Sequence, residues 1–480
     1  MNPARTAFWL TIGRTTRMGM AFLAPIVLTR ALIREDYGAF KQIDLAAGLL
    51  APMLLVGLDR SLTYYIPRPG RDPRVECSTV IWSLVAICFA FCSVMAALPW
   101  IPQWIFSLGG LYVLTLAVLA GATEGAMILA TQKALVAAGH GRTAGMAPVL
   151  LGFPYFVALI VVAILTGSLA AVATVAAAGA ALTAIACLVI LRRHGMLGFC
   201  FDPRALRRHV GFAGPLWIIG LVETWGGRMD RFLVSTAMGV GNYALFAVGT
   251  AGLPFVRILP GAVRDASAPM FSRYESEGRL DQIARLWKRG SEVVLPIYLL
   301  AAIGQIYMAH LLVPLMYTEA FRGATPVFMV AAATTFLGIF GGMELVLRAL
   351  LEFRFLAALT GCGLALRIGA GIAVLPFHSL PLQAAVQACI AYGDVAARLL
   401  YARRRLGVGW GGLLPTKGWL MALGLAGACA AASALMEVMV AAWPLLPKTL
   451  LLLAPWGIAA AFVLNRLRLE LRRSAEARQG

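Results

Sequence analysis

Apolar residues run in stretches of roughly 20 along the whole chain, separated by short breaks that carry charge, glycine or proline. A helix of about 20 residues crosses a hydrocarbon core of about 30 Å with its backbone hydrogen bonds satisfied internally. The pattern predicts an all-α polytopic membrane protein of about 14 spans, approximately 7–30, 38–64, 76–98, 108–132, 143–166, 168–191, 211–238, 242–270, 291–315, 322–346, 354–376, 380–402, 417–440 and 448–466. An even number places both termini on one side. The first span starts close to Met1 and leads straight into the second, so it reads as a retained helix and not as a cleaved signal.

Composition agrees. Of 480 residues, 60% are hydrophobic and 13% charged, with a mean hydropathy of +0.82, which excludes an ordinary soluble chain. A net charge of +19 would suggest nucleic acid in a soluble protein. Its distribution argues otherwise. With the N-terminus inside, 28 of the 41 basic residues fall in cytoplasmic segments, 4 in outward ones and 9 within spans. That asymmetry orients the chain with both ends cytoplasmic. The outward loops are short and leave no room for a domain that does chemistry. Two cytoplasmic segments, 192–209 and 272–290, mix basic and apolar residues in a way that suits helices lying on an anionic membrane face and equally suits solvated linkers. The eight cysteines avoid outward loops and imply no disulfide framework. Cys88 and Cys92 share a helix face, but no further ligand joins them, so they read as packing residues. Neither a nucleotide-binding motif nor a metal constellation occurs, and no cofactor is expected.

"DYGAF", Asp36–Phe40, matches "NYALF", Asn242–Phe246, at an offset of 206, and each begins a span after an outward turn. Spans one to six and seven to twelve therefore read as two copies of one unit in the same orientation, related by a pseudo-two-fold axis along the membrane normal. The expected organisation is a six-helix lobe at 1–195, a linker at 196–210, a second six-helix lobe at 211–405, and two additional helices with a basic tail at 406–480.

Charges inside the spans are the candidate functional residues, because a charge at mid-bilayer costs about 2.5–3.5 kcal/mol and usually faces a cavity or a partner. Lys41, Asp59, Arg60, Asp265 and Glu437 lie near span ends, where side chains snorkel. Arg14 and Arg17 share a face of span one, and Arg228 and Arg231 repeat that spacing in span seven; Arg257, Arg264 and Arg367 extend the series. On a continuous helix, Glu223 and Asp230 superimpose beside the Arg228 and Arg231 face. The arginines read as a cavity lining and the two acids as interhelical partners. Asp44 is a further acid within a span, and Glu124 and Asp394 read as isolated carboxylates suited to a structural hydrogen bond or to ion coupling.

The segments "LTRALIREDYGAFKQ", "GLDRSLTYYIPR", "GGRMDRFLVSTAMGVGNYALFAVG", "APMFSRYESEGRLDQIARLWKRG" and "LMYTEAFRGATPVFMV" resemble, in order and spacing, the Wzx-type polysaccharide-transport branch of the multidrug/oligosaccharidyl-lipid/polysaccharide exporter superfamily. The resemblance runs from about residue 8 to 405. It implies two lobes around a cavity open alternately to either side of the bacterial cytoplasmic membrane, carrying undecaprenyl-pyrophosphate-linked oligosaccharide outward. It implies that Arg14, Arg17, Arg228, Arg231 and Arg257 attract the pyrophosphate and acidic sugars, and that the last two spans guide the lipid tail. Partners implied are membrane lipids and the polymerase and glycosyltransferases of the same pathway. Asp230 and Glu223, mixed into the cationic face, depart from that picture. Moving a headgroup of about −2 outward at 100 mV gains roughly 4–5 kcal/mol. A lipid II flippase or a drug/cation antiporter remains open as a related reading. A membrane glycosyltransferase or polymerase fits less well, since such chemistry generally uses a sizeable outward loop.

Overall fold

A computed structural model describes residues 3–98, 112–253, 267, 270–271, 273–416, 418–440 and 443–476. Every regular element among them is helical. Ten helices are long and apolar enough to span a membrane. Of the four expected spans outside that set, 7–30 and 380–402 carry internal charge, 211–238 is interrupted, and 242–270 is described only in part. The chain forms two compact units, Met1–Ala247 and Val248–Gly480.

The first unit contains α1 (Pro3–Ala31), α2 (Arg34–Leu55), α3 (Leu58–Tyr65), α4 (Pro73–Ala97), α5 (Tyr112–Ala137), α6 (Gly141–Thr166), α7 (Leu169–Arg193), α8 (Pro203–Gly226) and α9 (Met229–Ala237), while α10 (Val240–Gly249) runs to its boundary. Small residues set its packing, as expected where lipid removes the hydrophobic drive between helices. Gly145 on α6 sits so close to α1 that a Cβ there would meet the Leu10 nitrogen at 2.9 Å. On α5, Gly121 and Gly125 face the Cβ atoms of Ala47 and Ala51 on α2, each 3.1 Å from where a Cβ would stand. A core of the first unit is filled by Leu54, Leu58, Leu62, Ile81, Leu84 and Met127, all buried.

Two expected spans of the first unit are interrupted. The 38–64 stretch breaks at Val56 and Gly57, whose φ values of 47° and 70° are left-handed. Glycine is required at 57, since a Cβ would lie 2.8 Å from the Ala213 carbonyl and 2.9 Å from Trp217 Cβ. Asp59, expected to snorkel, is instead buried in the first turn of α3, where helix N-terminal N–H groups favour a carboxylate. The 211–238 stretch breaks after Gly226, and Arg228 stands at the N-cap of α9 with φ −129° and ψ −2°.

The 206-residue offset reappears in the helices themselves, because α2 begins at Arg34 and α10 at Val240. The matched tyrosines, Tyr37 and Tyr243, are 1% and 2% exposed. The 192–209 segment is non-helical between Arg193, where α7 ends, and Pro203, where α8 begins; residues 196–202 lie against α4. The 272–290 segment is no separate surface helix over its second part, because α11 (Leu280–Tyr317) runs unbroken for 38 residues.

The second unit continues with α12 (Thr325–Thr335), α13 (Met343–Ala349), α14 (Phe353–Val374), α15 (Leu380–Leu406), α16 (Trp410–Leu413), α17 (Trp419–Met439) and α18 (Leu445–Glu476). The last two pack on α11. Ser433 on α17 donates to the Leu452 carbonyl at 2.9 Å and accepts from the Trp456 indole at 3.1 Å, and the Trp456 ring fills the space beside Gly304.

Candidate functional site: a mixed-charge cavity in the first unit

Within the first unit, α1, α2, α5, α6, α7 and the α8–α9 break enclose a cavity of about 460 Å³, a volume common for ligand sites. Alanine and glycine make up much of its wall, including Ala47, Gly48, Ala51, Ala117, Gly121 and Ala180. The same small residues that let α2 and α5 approach therefore keep the cavity open. Four charged side chains reach it: Arg17 from α1, Asp44 from α2, Glu124 from α5 and Arg228 from the break.

The interruption explains how Arg228 arrives. The Gly227 N–H returns to the Glu223 carbonyl and the Arg228 N–H to the Trp225 carbonyl, closing α8 before α9 starts afresh. The guanidinium of Arg228 then lies on Gly48, in space that any Cβ would occupy. Hydrogen bonds on either side of the break tie this segment to α2. Trp217 donates to the Pro52 carbonyl at 2.9 Å and Trp225 to the Leu49 carbonyl at 3.3 Å, while Gln42 donates to Ser235 Oγ at 3.0 Å. The Pro52 carbonyl is free to accept because α2 ends there, the Val56 N–H turning to Met53 instead.

Arg17 and Arg228 form no ion pair among the described residues, and neither does Glu124. Asp44 has a partner in Lys41 at 3.4 Å, yet 69% of its side chain is accessible, so it still presents charge to the cavity. Tyr155 from α6 completes the wall, its ring flat on Gly179 of α7. Two cations, two carboxylates and a phenol thus face one apolar-walled space.

Other sequence candidates fall elsewhere. Arg14 shares the helix of Arg17 but does not line the cavity, and Arg231, Glu223 and Asp230 do not either. The superposition expected of Glu223 and Asp230 fails because the break resets the helical phase between them. For the same reason Arg228 and Arg231 do not form one continuous helical face. Arg257 and Arg264 lie outside the described residues. Arg367, in the second unit, donates to Gln387 Oε1 at 3.1 Å, and Gln387 returns a bond to the Arg367 carbonyl at 3.3 Å. Asp394 is not isolated: Arg398 holds it at 2.9 Å and also reaches Glu344 at 3.1 Å. Cys88 is buried and Cys92 contacts Thr123; no group of three or more metal-ligating side chains occurs among the described residues.

Sequence reasoning missed Gly48 and Tyr155, which carry no charge to flag them. It also missed Glu76, a buried carboxylate in the first turn of α4. Glu76 accepts from His209 at 2.8 Å and from Arg208 at 3.1 Å, joining α4 to α8.

Residues 4–275 match the family described as "Polysaccharide biosynthesis protein". Among solved structures, "Lipid II flippase MurJ, inward closed conformation" is similar with a TM-score of 0.72 and 12% identity, over 95% of this chain and 99% of that one. An inward-facing multidrug resistance MATE family transporter of the MOP superfamily gives 0.60 and 18%, over 81% and 94%. A MOP superfamily transporter from Pyrococcus furiosus, whose binding pocket is described as reversed in polarity, gives 0.57 and 15%, over 84% and 95%. At these identities the likeness shows a shared fold. No curated protein sequence matches.

Proposed function

The chain belongs to the polysaccharide biosynthesis protein family, and we propose that within it the protein is a flippase for isoprenoid-pyrophosphate-linked oligosaccharide, working by alternating access in the bacterial cytoplasmic membrane. The observation that carries this reading is that Arg17 and Arg228 line one cavity without an ion pair among the described residues. Two arginines that face one cavity within the membrane-spanning region without an ion pair favour an anionic ligand that supplies the partner. Guanidinium groups suit phosphate through parallel N–H donors, where an ammonium offers a point charge. The alanine and glycine walls leave space for a diphosphate headgroup and offer little that would bind a sugar tightly, which suits a carrier that must release its cargo. The protein then acts as a transporter and not as an enzyme, between the glycosyltransferases that build the lipid-linked glycan and the polymerase that consumes it.

The test is complementation of a deletion strain by Arg17→Ala/Arg228→Ala. Surface glycan is expected to be lost and the lipid-linked oligosaccharide to accumulate at the cytoplasmic face, with the variant still inserted. Normal surface glycan from the double variant defeats the reading. A second reading, a cation-coupled antiporter, is favoured by Glu124 and Asp44 in the same cavity. It expects Glu124→Gln to abolish transport and the double arginine variant to retain it.

A further inference from the structure

The loop that leads from α7 into α8 holds two phenylalanines in the open. Phe199 is 90% exposed and Phe201 53%. The loop is firmly held. Ser78 Oγ accepts from the Gly198 N–H at 2.8 Å, Trp82 donates to the Gly198 carbonyl at 2.8 Å, and Thr79 Oγ1 accepts from the Asp202 N–H at 3.1 Å. The Trp82 ring stacks on Phe199 with centroids 5.8 Å apart and planes 16° apart. An exposed aromatic fixed by this many hydrogen bonds is presented and not merely left over.

Its charged surroundings are one-sided. Arg74 lies directly over Gly198, its Nε 2.5 Å from where a Cβ would stand, and Arg192, Arg193, Arg204 and Arg207 are exposed on the flanking helix ends. None of these five guanidinium groups forms an ion pair among the described residues. The neighbouring carboxylate, Asp202, is already engaged: it caps α8 by accepting from the Arg204 N–H at 2.8 Å and lies 3.9 Å from Arg208. In the 272–290 segment, by contrast, Arg273 is paired with Glu277 at 2.8 Å and Arg285 with Asp281.

We propose that the Phe199–Phe201 loop, with Arg74 and the arginines at the end of α7 and start of α8, is an interfacial docking surface for anionic phospholipid of the cytoplasmic leaflet. The choice of occupant follows from charge and position. The site lies at the cytoplasmic end of α4 by the charge asymmetry of the chain, at the level where aromatic rings and arginines partition between headgroups and acyl chains. Each arginine near an anionic surface contributes about 1 kcal/mol, so five make a selective site. A protein partner would have to bury five unpaired cations, whereas headgroup phosphates meet them in water-accessible geometry.

The test uses the purified full chain in detergent, titrated with phosphatidylglycerol or phosphatidylcholine while the thermal unfolding midpoint is followed. Phosphatidylglycerol is expected to raise the midpoint at lower concentration than phosphatidylcholine. Arg74→Gln/Arg204→Gln is expected to weaken the apparent phosphatidylglycerol affinity roughly 25-fold, from about fivefold per cation, with the lipid-free midpoint unchanged. Phe199→Ser is expected to weaken both lipids alike. The charge-matched control Arg273→Gln/Arg285→Gln is expected to leave the phosphatidylglycerol response intact. Equal responses of the native chain to the two lipids, or an equal loss in the control, overturn the proposal.

Discussion

The guanidinium of Arg228 occupies the space that a side chain at Gly48 would need. Two helices thereby share one volume, and the sharing fixes where a cavity cation points. Gly48→Ala is expected to displace Arg228 while keeping α2 helical, since alanine is a better helix former than glycine. Loss of one charge-assisted contact to an anionic headgroup corresponds to about 1.5–3 kcal/mol, or roughly a 10- to 100-fold weaker interaction. The check is surface glycan in a deletion strain carrying Gly48→Ala, with membrane insertion measured in parallel. Full complementation by Gly48→Ala and by Gly48→Val would show that the placement of Arg228 is irrelevant.

The indoles of Trp217 and Trp225 hold α8 on α2 just before the break, through the Pro52 and Leu49 carbonyls. Replacing both by phenylalanine removes the two donors and keeps most of the aromatic volume. Each lost bond is expected to cost about 0.5–1.5 kcal/mol. The thermal midpoint of the purified double variant should fall, and Trp217→Phe should cost more than Trp225→Phe, because its bond is 2.9 Å against 3.3 Å. An unchanged midpoint in the double variant counts against this clamp.

Hydropathy predicted which stretches are helical because lipid leaves the backbone few alternatives. It did not predict the interruptions at Val56–Gly57 and Gly227–Arg228. Those depend on neighbours distant in sequence: the Ala213 carbonyl beside Gly57, and the indole donors that accompany the α8–α9 break. The consequence for the site is direct. A wheel drawn through residues 223–231 assumes an unbroken helix, so it pairs Arg228 with Arg231 and Glu223 with Asp230, whereas the break sends Arg228 alone into the cavity. Arg17, Asp44 and Glu124 were visible as charges in apolar runs; that they share one cavity was not, because nothing local encodes the packing of α1, α2 and α5.

Glu124 and Asp394 looked alike in sequence and differ in structure. Asp394 is held by Arg398 at 2.9 Å, while Glu124 faces the cavity without an ion pair among the described residues. Any dependence of the thermal midpoint on Na⁺ or proton concentration is therefore expected to survive Asp394→Asn and to vanish in Glu124→Gln. Asp394→Asn should act as a stability variant: it leaves Arg398 with Glu344 alone, and removing one partner of a partly buried pair costs more than an exposed pair's ~1 kcal/mol. The reverse assignment, with ion dependence lost in Asp394→Asn, would move the coupling group to the second unit.

Glu76 and His209 form an enclosed contact between α4 and α8, with side chains 3% and 0% exposed. Glu76 Oε2 lies 2.8 Å from His209 Nε2, and its other oxygen accepts from Arg208 at 3.1 Å with Arg71 at 3.6 Å. The far ring nitrogen of His209 is 2.7 Å from Ser61 Oγ, which is also 2.7 Å from the Leu58 carbonyl. A serine hydroxyl has one proton to give. If Ser61 donates to Leu58, His209 must carry protons on both nitrogens; if it donates to His209, the ring is neutral and the Leu58 bond is forfeited. In either arrangement the Nε2 proton points at Glu76, so the carboxylate is the fixed member and the hydroxyl the adjustable one. Glu76→Gln leaves Arg208 with only Asp202 at 3.9 Å and removes the carboxylate that faces His209, and is expected to destabilise the protein by about 3–5 kcal/mol. Ser61→Ala removes one neutral bond and should cost about 1 kcal/mol. Thermal unfolding of the purified variants in detergent gives the comparison, and a Ser61→Ala loss as large as that of Glu76→Gln would contradict this ordering.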